Sequence, residues 1–205
     1  SGANTQILGF ESGRYRVYGE TLDIGVGNLL DAFGRAMGLG FPAGPKIDEM
    51  YFHAKRYLEL PYSVKGMDLN FSGLQTAAEG LVGKSDATDL AYSVMHTAFA
   101  MLTEVTERAL AHTEKTELLL GGGVAASKAL RKMLGEMCQG RGVQMFVPPA
   151  EVCVDNGAMI AWLGLLAHQS SRRRQDLAET AIRPKERADD VEVTWLSNKY
   201  KGLTA

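Results

Sequence analysis

The stretch whose reading decides the fold is "LLGGGVAASKALR", Leu119–Arg131, in which three consecutive glycines separate an apolar run from a run of helical composition. Glu117 to Leu120 reads as a short buried strand and Ala125 to Met137 as a helix, so the glycines occupy a strand-to-helix turn. Glycine has no Cβ, so such a turn lets a ligand come close to the backbone, and the first helical amides beyond it face a polar or negative group. A tight turn that binds nothing accounts for the same residues, and at this point both readings stand.

Composition narrows the classes. The chain has 205 residues, 45% of them hydrophobic, and a net charge of −2, which suits one large or two small folded domains and gives no basic excess for nucleic acid. Cys138 and Cys153 have no CxxC spacing and no accompanying His pair, so they read as core residues of a protein in a reducing compartment rather than as a zinc framework. No apolar run reaches membrane-spanning length. "SGANTQILGF" opens without Met and in the middle of what reads as β-structure, so a segment upstream is expected.

Working outward, "TQILGFESGRYRVYGE" alternates apolar and polar residues around the turn "ESGR" and predicts a hairpin. Leu29, Leu30, Phe33 and Met37 have helical spacing from Val26 onward, and Gly38 with Gly40-Phe41-Pro42 stops that helix. After "PAGP" a second helix is predicted to about Tyr57, and "LELPYSVKGMDLNFSG" reads as an irregular connection. Leu90, Val94, Ala98, Met101, Val105 and Ala109 form the stripe of a long core helix. "TELLL" is a strand, Ala125–Gly140 a helix, "VQMFVPP" a strand and "NGAMIAWLGLLAHQ" an apolar helix. The order predicts a layered α/β domain.

Two chemical readings of the glycines follow from the residues alone. Gly121 to Ala126 fits G-x-G-x-x-A, the dinucleotide fingerprint, but the following strand ends "FVPP" with no carboxylate before Glu151 to hold a ribose. A phosphate P-loop lacks its Gly-Lys-Ser/Thr element. A second stretch, "VCVDNGAMIAW", sets Asp155 and Asn156 just before an apolar helix, where an N-cap role is enough to explain the Asp.

Taken together, "VCVDNGAMIAW" after "FVPP" and "LLGGGVAASKALR" resemble the universal tRNA threonylcarbamoyladenosine synthase family, called TsaD in bacteria and the catalytic subunit of the KEOPS complex in archaea and eukaryotes. The likeness is closest to the archaeal branch and extends through "SGANTQ", "GETLDIGVGNLLDAFGR", "FPAGPKID", "VKGMDLNFSGLQTA", "AFAMLTEVTERALAHT" and "PKERADDVEVTW", in the family's order. It implies an α/β fold of the actin-like, Hsp70-like and sugar-kinase-like nucleotide-binding architecture, with this chain as its second lobe over residues 1–196 and a tail or linker at 197–205. Some archaeal members of the family are fused to their kinase subunit at that point.

The resemblance also assigns roles. Gly122 and Gly123 would lie against adenosine, with Ser127 in place of the family's usual Asn; Ser1, Gly2 and Ala3 would approach phosphate through backbone amides. Asp31 and Asp48 would accept from ribose hydroxyls or other polar parts of the ligand, Asp48 standing where archaeal relatives usually have Glu, and Gly44 would make a close backbone approach. Asp155 would be one ligand of a divalent metal, iron or zinc. Its usual His-x-x-x-His partners are missing, because His53, His96, His112 and His168 include no such pair.

The implied activity is transfer of threonylcarbamoyl from threonylcarbamoyl-AMP to the adenosine beside the anticodon of tRNAs reading ANN codons, with ATP as a related ligand. This fragment alone is expected to be inactive. Implied partners are tRNA, a small kinase-like subunit, a dimerising subunit and a carbamoyl-adenylate synthase, in the cytoplasm and without a membrane. A non-catalytic scaffold paralogue, and an ATP-binding kinase or chaperone of the same superfamily, stay open beside it.

Overall fold

The computed structural model describes residues 4–171, 176 and 181–196; the expectations placed on Ser1, Gly2, Ala3 and the 197–205 tail lie outside these residues. Two strands, β1 (Gln6–Glu11) and β2 (Arg14–Glu20), form the expected hairpin. Ser12 and Gly13 turn it, both with positive φ, 51° and 81°. Two successive left-handed residues match the right-handed twist of a tight hairpin.

Helices α1 (Val26–Ala36) and α2 (Gly44–Tyr51) follow, then β3 (Val64–Lys65), β4 (Asp68–Leu69), α3 (Ser72–Glu79), the long α4 (Ala87–Thr113), β5 (Glu117–Leu119), a 3-10 turn (Gly123–Ala126), α5 (Lys128–Arg141), β6 (Gln144–Phe146), α6 (Ala150–Cys153) and α7 (Gly157–Ser171). Strands β3 and β4 pair antiparallel. Strands β5 and β6 pair parallel, Leu118 opposite Met145, with α5 as the crossover that parallel strands require.

The chain divides into two compact units. The first comprises residues 1–7 and 19–154, and its core is built on α4. Each residue of the predicted stripe, Leu90 to Ala109, is buried, and Phe33, Ile47, Phe71, Leu74 and Leu130 close around it from α1, α2, α3 and α5. Asp86 caps α4, its carboxylate accepting from the amides of Thr88 and Asp89. Gly34 on α1 admits Ala43 so closely that a Cβ there would stand 2.0 Å from the Ala43 Cβ.

The second unit comprises residues 8–18 and 155–205. Within it α7 is apolar around its whole circumference, leaving Ile160 64% and Trp162 61% exposed. Arg14 of the hairpin forms an antiparallel bridge with Glu192, and the hydroxyls of Ser170 and Thr194 meet at 2.9 Å.

Three elements differ from the sequence expectation. Helix α2 ends at Tyr51 rather than near Tyr57, because the next segment is captured by α4: Asp89 Oδ1 accepts from the amides of Lys55 and Arg56 at 2.8 and 3.1 Å, and Ser93 Oγ from that of Leu58 at 2.8 Å. The hydroxyls of Tyr57 and Thr97 meet at 2.9 Å farther along the same face. The connection read as irregular contains the β3–β4 pair and runs into the start of α3. Finally, the glycine turn opens a 3-10 turn, and the α-helix expected from Ala125 begins at Lys128 behind its own cap, Ser127.

Among the described residues no helix is long and apolar enough to cross a membrane.

Candidate functional site

A cleft of about 850 Å³ opens within the first unit between α1, α2 and the glycine turn. Helix α1 contributes Gly27, Leu30 and Asp31, which share one face because they stand three and four residues apart. Helix α2 contributes Gly44, Pro45, Asp48 and Glu49, with Phe52 and His53 following at its C-terminal end. Gly123, Val124, Ala126, Ser127 and Lys128 form the facing wall.

Local sequence explains why these walls stand where they do. The Asp31 carboxylate accepts from the amide of Ala43 at 3.1 Å, which fixes the start of α2 against α1. Pro45 occupies the first turn of α2, where a missing N–H costs nothing. A Cβ built on Gly44 meets no atom within 4 Å, so that position faces open space. Gly122 has φ 90° and ψ 168°, a region occupied essentially by glycine alone, and this is what swings the chain from β5 into the 3-10 turn.

The strongest polar link in the cleft joins α2 to α5. Asp48, 8% exposed, accepts from Ser127 Oγ at 2.6 Å and from the amides of Lys128 and Ala129 at 3.0 and 3.1 Å. Ser127 Oγ in turn accepts from the Leu130 amide at 3.2 Å. A carboxylate on free amides at a helix N-terminus also complements the helix dipole.

Behind the α2 wall, Tyr51, Tyr57, Tyr92 and His96 form an aromatic cluster, with Tyr51 Oη 3.1 Å from His96 Nδ1 and the rings of Tyr92 and His96 stacked at 5.2 Å. Burial, aided by the nearby charge of Lys132, holds the His96 imidazole below its usual range. Burial first, then the neighbouring Tyr92, Glu136 and Asp48, pushes the Tyr51 phenol up to about 12.

Of the residues singled out from sequence, Asp31, Gly44, Asp48, Gly123 and Ser127 line this one cleft, and Gly122 sits in the turn that forms its wall. Asp155 belongs to the second unit, where it is exposed; the cap of α7 comes instead from Asn156, whose Oδ1 accepts from the Met159 amide at 3.0 Å. No group of three or more His, Cys, Asp or Glu is brought together among the described residues. Asp155 alone therefore does not make a divalent-metal site from the residues described. Sequence reading missed Glu49, Phe52, His53 and Lys128. Reading on from Asp48 by one, four and five residues would have found Glu49, Phe52 and His53, of which Phe52 is an aromatic left 49% exposed.

A family model described as TsaD, tRNA N6-adenosine threonylcarbamoyltransferase, matches residues 1–162. The chain belongs to this family. It is 54% identical over 204 residues to the probable bifunctional tRNA threonylcarbamoyladenosine biosynthesis protein of Methanothermobacter thermautotrophicus, covering 99% of this chain and 38% of that protein. It is 54% identical over 197 residues to the tRNA N6-adenosine threonylcarbamoyltransferase of Thermococcus kodakarensis, covering 95% of this chain and 60% of that one. This TsaD-family chain thus spans between about two fifths and three fifths of the length of these two relatives.

Among solved structures it is similar to the crystal structure of T. kodakarensis HypF, with a TM-score of 0.58 and 20% identity over 71% of this chain and 20% of that one. At that identity the likeness shows fold alone, and the fold of the TsaD family is the actin-like α/β architecture.

Proposed function

We propose that this chain carries the adenylate-binding lobe of a tRNA threonylcarbamoyltransferase. The observation that carries the reading is the cleft in which a glycine turn faces carboxylate-bearing helices, in a chain of the TsaD family. Adenosine lies along Gly122 and Gly123, its ribose toward Asp31, Ser127 and the α2 face, with the Gly44 backbone close to the ligand. Phosphate points toward Ser1, Gly2 and Ala3. Several of the cleft's side chains are apolar or aromatic, including Leu30, Pro42, Phe52, Met95 and Val124, as suits a purine with a few polar groups to orient it.

The reaction is acyl transfer. The exocyclic amine of the target adenosine attacks the carbamoyl carbon of threonylcarbamoyl-AMP; the new N–C bond forms, the C–O bond to phosphate breaks, AMP leaves with the electron pair, and the amine's proton passes to solvent. Holding AMP in a fixed pose aligns the electrophile, which is where a preformed cleft contributes most. In the full-length protein Asp155 is one donor to a divalent metal, iron or zinc, whose other donors lie outside the described residues. The names of the relatives support tRNA as the second substrate. The partners are a kinase-like subunit, a dimerising subunit and a carbamoyl-adenylate synthase, in the cytoplasm.

The test is to supply the full-length protein with threonylcarbamoyl-AMP and an ANN-reading tRNA transcript, then digest the tRNA to nucleosides for mass spectrometry. Threonylcarbamoyladenosine and stoichiometric AMP are expected. Tight adenine-nucleotide binding without transfer, in the presence of the partner subunits, overturns the transferase reading in favour of a scaffold or an ATPase of the same fold.

A further inference from the structure

Between the end of α2 and β3 the chain lies along α4 and leaves its rings and cations to solvent. The amides of Lys55, Arg56 and Leu58 are engaged by Asp89 and Ser93. Phe52, Tyr57 and Tyr62 remain 49%, 48% and 50% exposed. Three half-exposed rings on one segment mark an interaction surface, where a single exposed apolar residue would not. The same segment is locally basic. Residues 53–65 carry Lys55, Arg56 and Lys65 against Glu59, a net +2 in a chain of net −2. Lys55 and Lys65 are exposed, and the Arg56 side chain, 75% exposed, bonds Asp89 through its Nε.

The rings are held in place. The hydroxyls of Tyr57 and Thr97 meet at 2.9 Å, and the Tyr62 hydroxyl donates to Glu104, which also accepts from Arg108. Thr97 and Glu104 are seven residues apart on α4, about 10 Å along its axis, so the two tyrosines are anchored at separate points. Tyr57 meets Tyr92 and His96 at steep angles, 89° and 72°. Aromatic contacts also lead back to the cleft. Phe52, which lines it, lies 5.1 Å from Tyr51 between ring centroids, Tyr51 lies 4.8 Å from Tyr92, and Tyr92 lies 6.4 Å from Tyr57.

On a tRNA the amine to be modified, adenosine N6, belongs to the pairing edge of its base. The target is therefore unpaired when it reacts, and the nucleotides beside it lie in a loop. Unpaired bases stack on aromatic side chains while cations meet their phosphates. Resting on the tRNA reading, we infer that Tyr57 and Tyr62, with Lys55 and Arg56, form a docking surface for unpaired loop nucleotides of the tRNA, leading outward from Phe52 at the cleft. The rings stack on bases without regard to sequence, and Lys55 and Arg56 meet the phosphates. Rings already anchored to α4 lose little freedom on binding.

The experiment titrates a fluorescein-labelled anticodon stem–loop of an ANN-reading tRNA with the full-length protein, by fluorescence anisotropy between about 50 and 200 mM salt. Tyr57→Ala is expected to weaken binding about fivefold or more with the salt slope kept. Tyr57→Phe, which keeps the ring and loses the bond to Thr97, should bind like wild type. If Tyr57→Ala does not fold, Tyr57→Leu replaces it, filling the space without a stacking face. The Lys55→Ala, Arg56→Ala double variant should lower the slope of log affinity against log salt by about 1.4, two contacts at about 0.7 each on a single strand. A fully paired RNA duplex of the same length should show no dependence on Tyr57. ATP affinity should be the same in all variants.

Unchanged RNA affinity and slope in both the Tyr57 and the double variant overturn the proposal, as does an equal loss on the duplex. A parallel loss of ATP binding would show that Tyr57 only supports the cleft, and overturns it too. Release of a protein subunit by these variants with RNA affinity intact assigns the surface to a protein instead. Failure of wild type to bind the stem–loop at any salt overturns the tRNA reading and this proposal together.

Discussion

Asp23 holds Ser72, 49 positions away, through a single oxygen: Oδ2 accepts from the Ser72 amide at 2.8 Å and from its hydroxyl at 2.7 Å, while Oδ1 accepts from the Phe71 amide at 2.9 Å. The amides at the start of α3 are thereby satisfied by a residue that precedes α1 in sequence. Asp23→Ala should destabilise the full-length protein by about 1–2 kcal/mol, the scale of a lost helix cap, and Asp23→Asn by less. Equilibrium urea unfolding checks this, and an effect within ±0.5 kcal/mol would show that the cap is not needed.

Two carboxylates should contribute to the acid limb of the stability profile. Burial pushes Asp23 up, but the Ser72 hydroxyl and the amides of Phe71, Ser72 and Ile24 outweigh it and hold the carboxyl below its ordinary value. The Lys55 amide, against some desolvation and with help from Arg56, does the same for Asp89. A lowered folded pKa favours the folded state above the unfolded value near 3.8, and that contribution is lost as pH falls through the lower folded value. Unfolding free energy measured between pH 5 and pH 2 should decline, and replacing both residues by Asn should flatten the decline. An unchanged slope would remove these residues as its source.

His96 titrates in the same sense for a different reason. Burial, with Lys132 nearby, lowers its pKa, so the folded state prefers the neutral ring, and stability falls as pH drops below the unfolded value near 6.5. An NMR titration of the His96 ring should give a midpoint under 6.5, and Lys132→Ala should raise it by less than burial lowers it. A midpoint at or above 6.5 contradicts the packing described.

Gly44 and Gly122 separate ligand space from backbone strain. Gly44→Val places its Cβ in open space, with no atom of the surrounding protein within 4 Å, so it should fold normally while weakening adenine-nucleotide binding by tenfold or more. Gly122→Ala should instead cost about 1–3 kcal/mol of stability, because φ 90° with ψ 168° excludes side chains. Thermal melts paired with nucleotide titration distinguish the two. Unaltered affinity in folded Gly44→Val would place the nucleotide elsewhere.

At the start of α7 the neighbours Asp155 and Asn156 should behave oppositely. Asn156→Ala removes the cap on the Met159 amide and should cost about 1 kcal/mol. Asp155→Ala should leave stability within about 0.5 kcal/mol, as for an exposed side chain that caps nothing, yet lower the metal content of the full-length protein measured by elemental analysis. Retained metal would exclude Asp155 as a donor.

Much of this architecture was legible from local pattern. The stripe from Leu90 to Ala109 announced α4 because a single face of one helix is buried, and three glycines after "TELLL" announced the turn beside the cleft. Helix α3 escaped because its cap is Asp23, far away in sequence, and because Asn70, Ser72 and Gly73 have turn composition. The end of α2 was misplaced for a similar reason: nothing between Phe52 and Tyr57 breaks a helix, and the decision lies with Asp89 and Ser93 on α4. The α2 face of the cleft was half legible, Gly44 and Asp48 through motif and Phe52 and His53 only once their common face was known.

That captured segment has a dynamic consequence. The amides of Lys55, Arg56 and Leu58 belong to no helix or strand, yet each is held by a side chain of α4. In hydrogen–deuterium exchange they should report the slow opening of α4 rather than the fast breathing of a surface loop. The stretch from His53 to Ser63 then acts as a splint rather than a tether: α2, which supplies one wall of the cleft, is splinted to the most deeply buried helix of its unit, and the cleft is preformed before any ligand arrives.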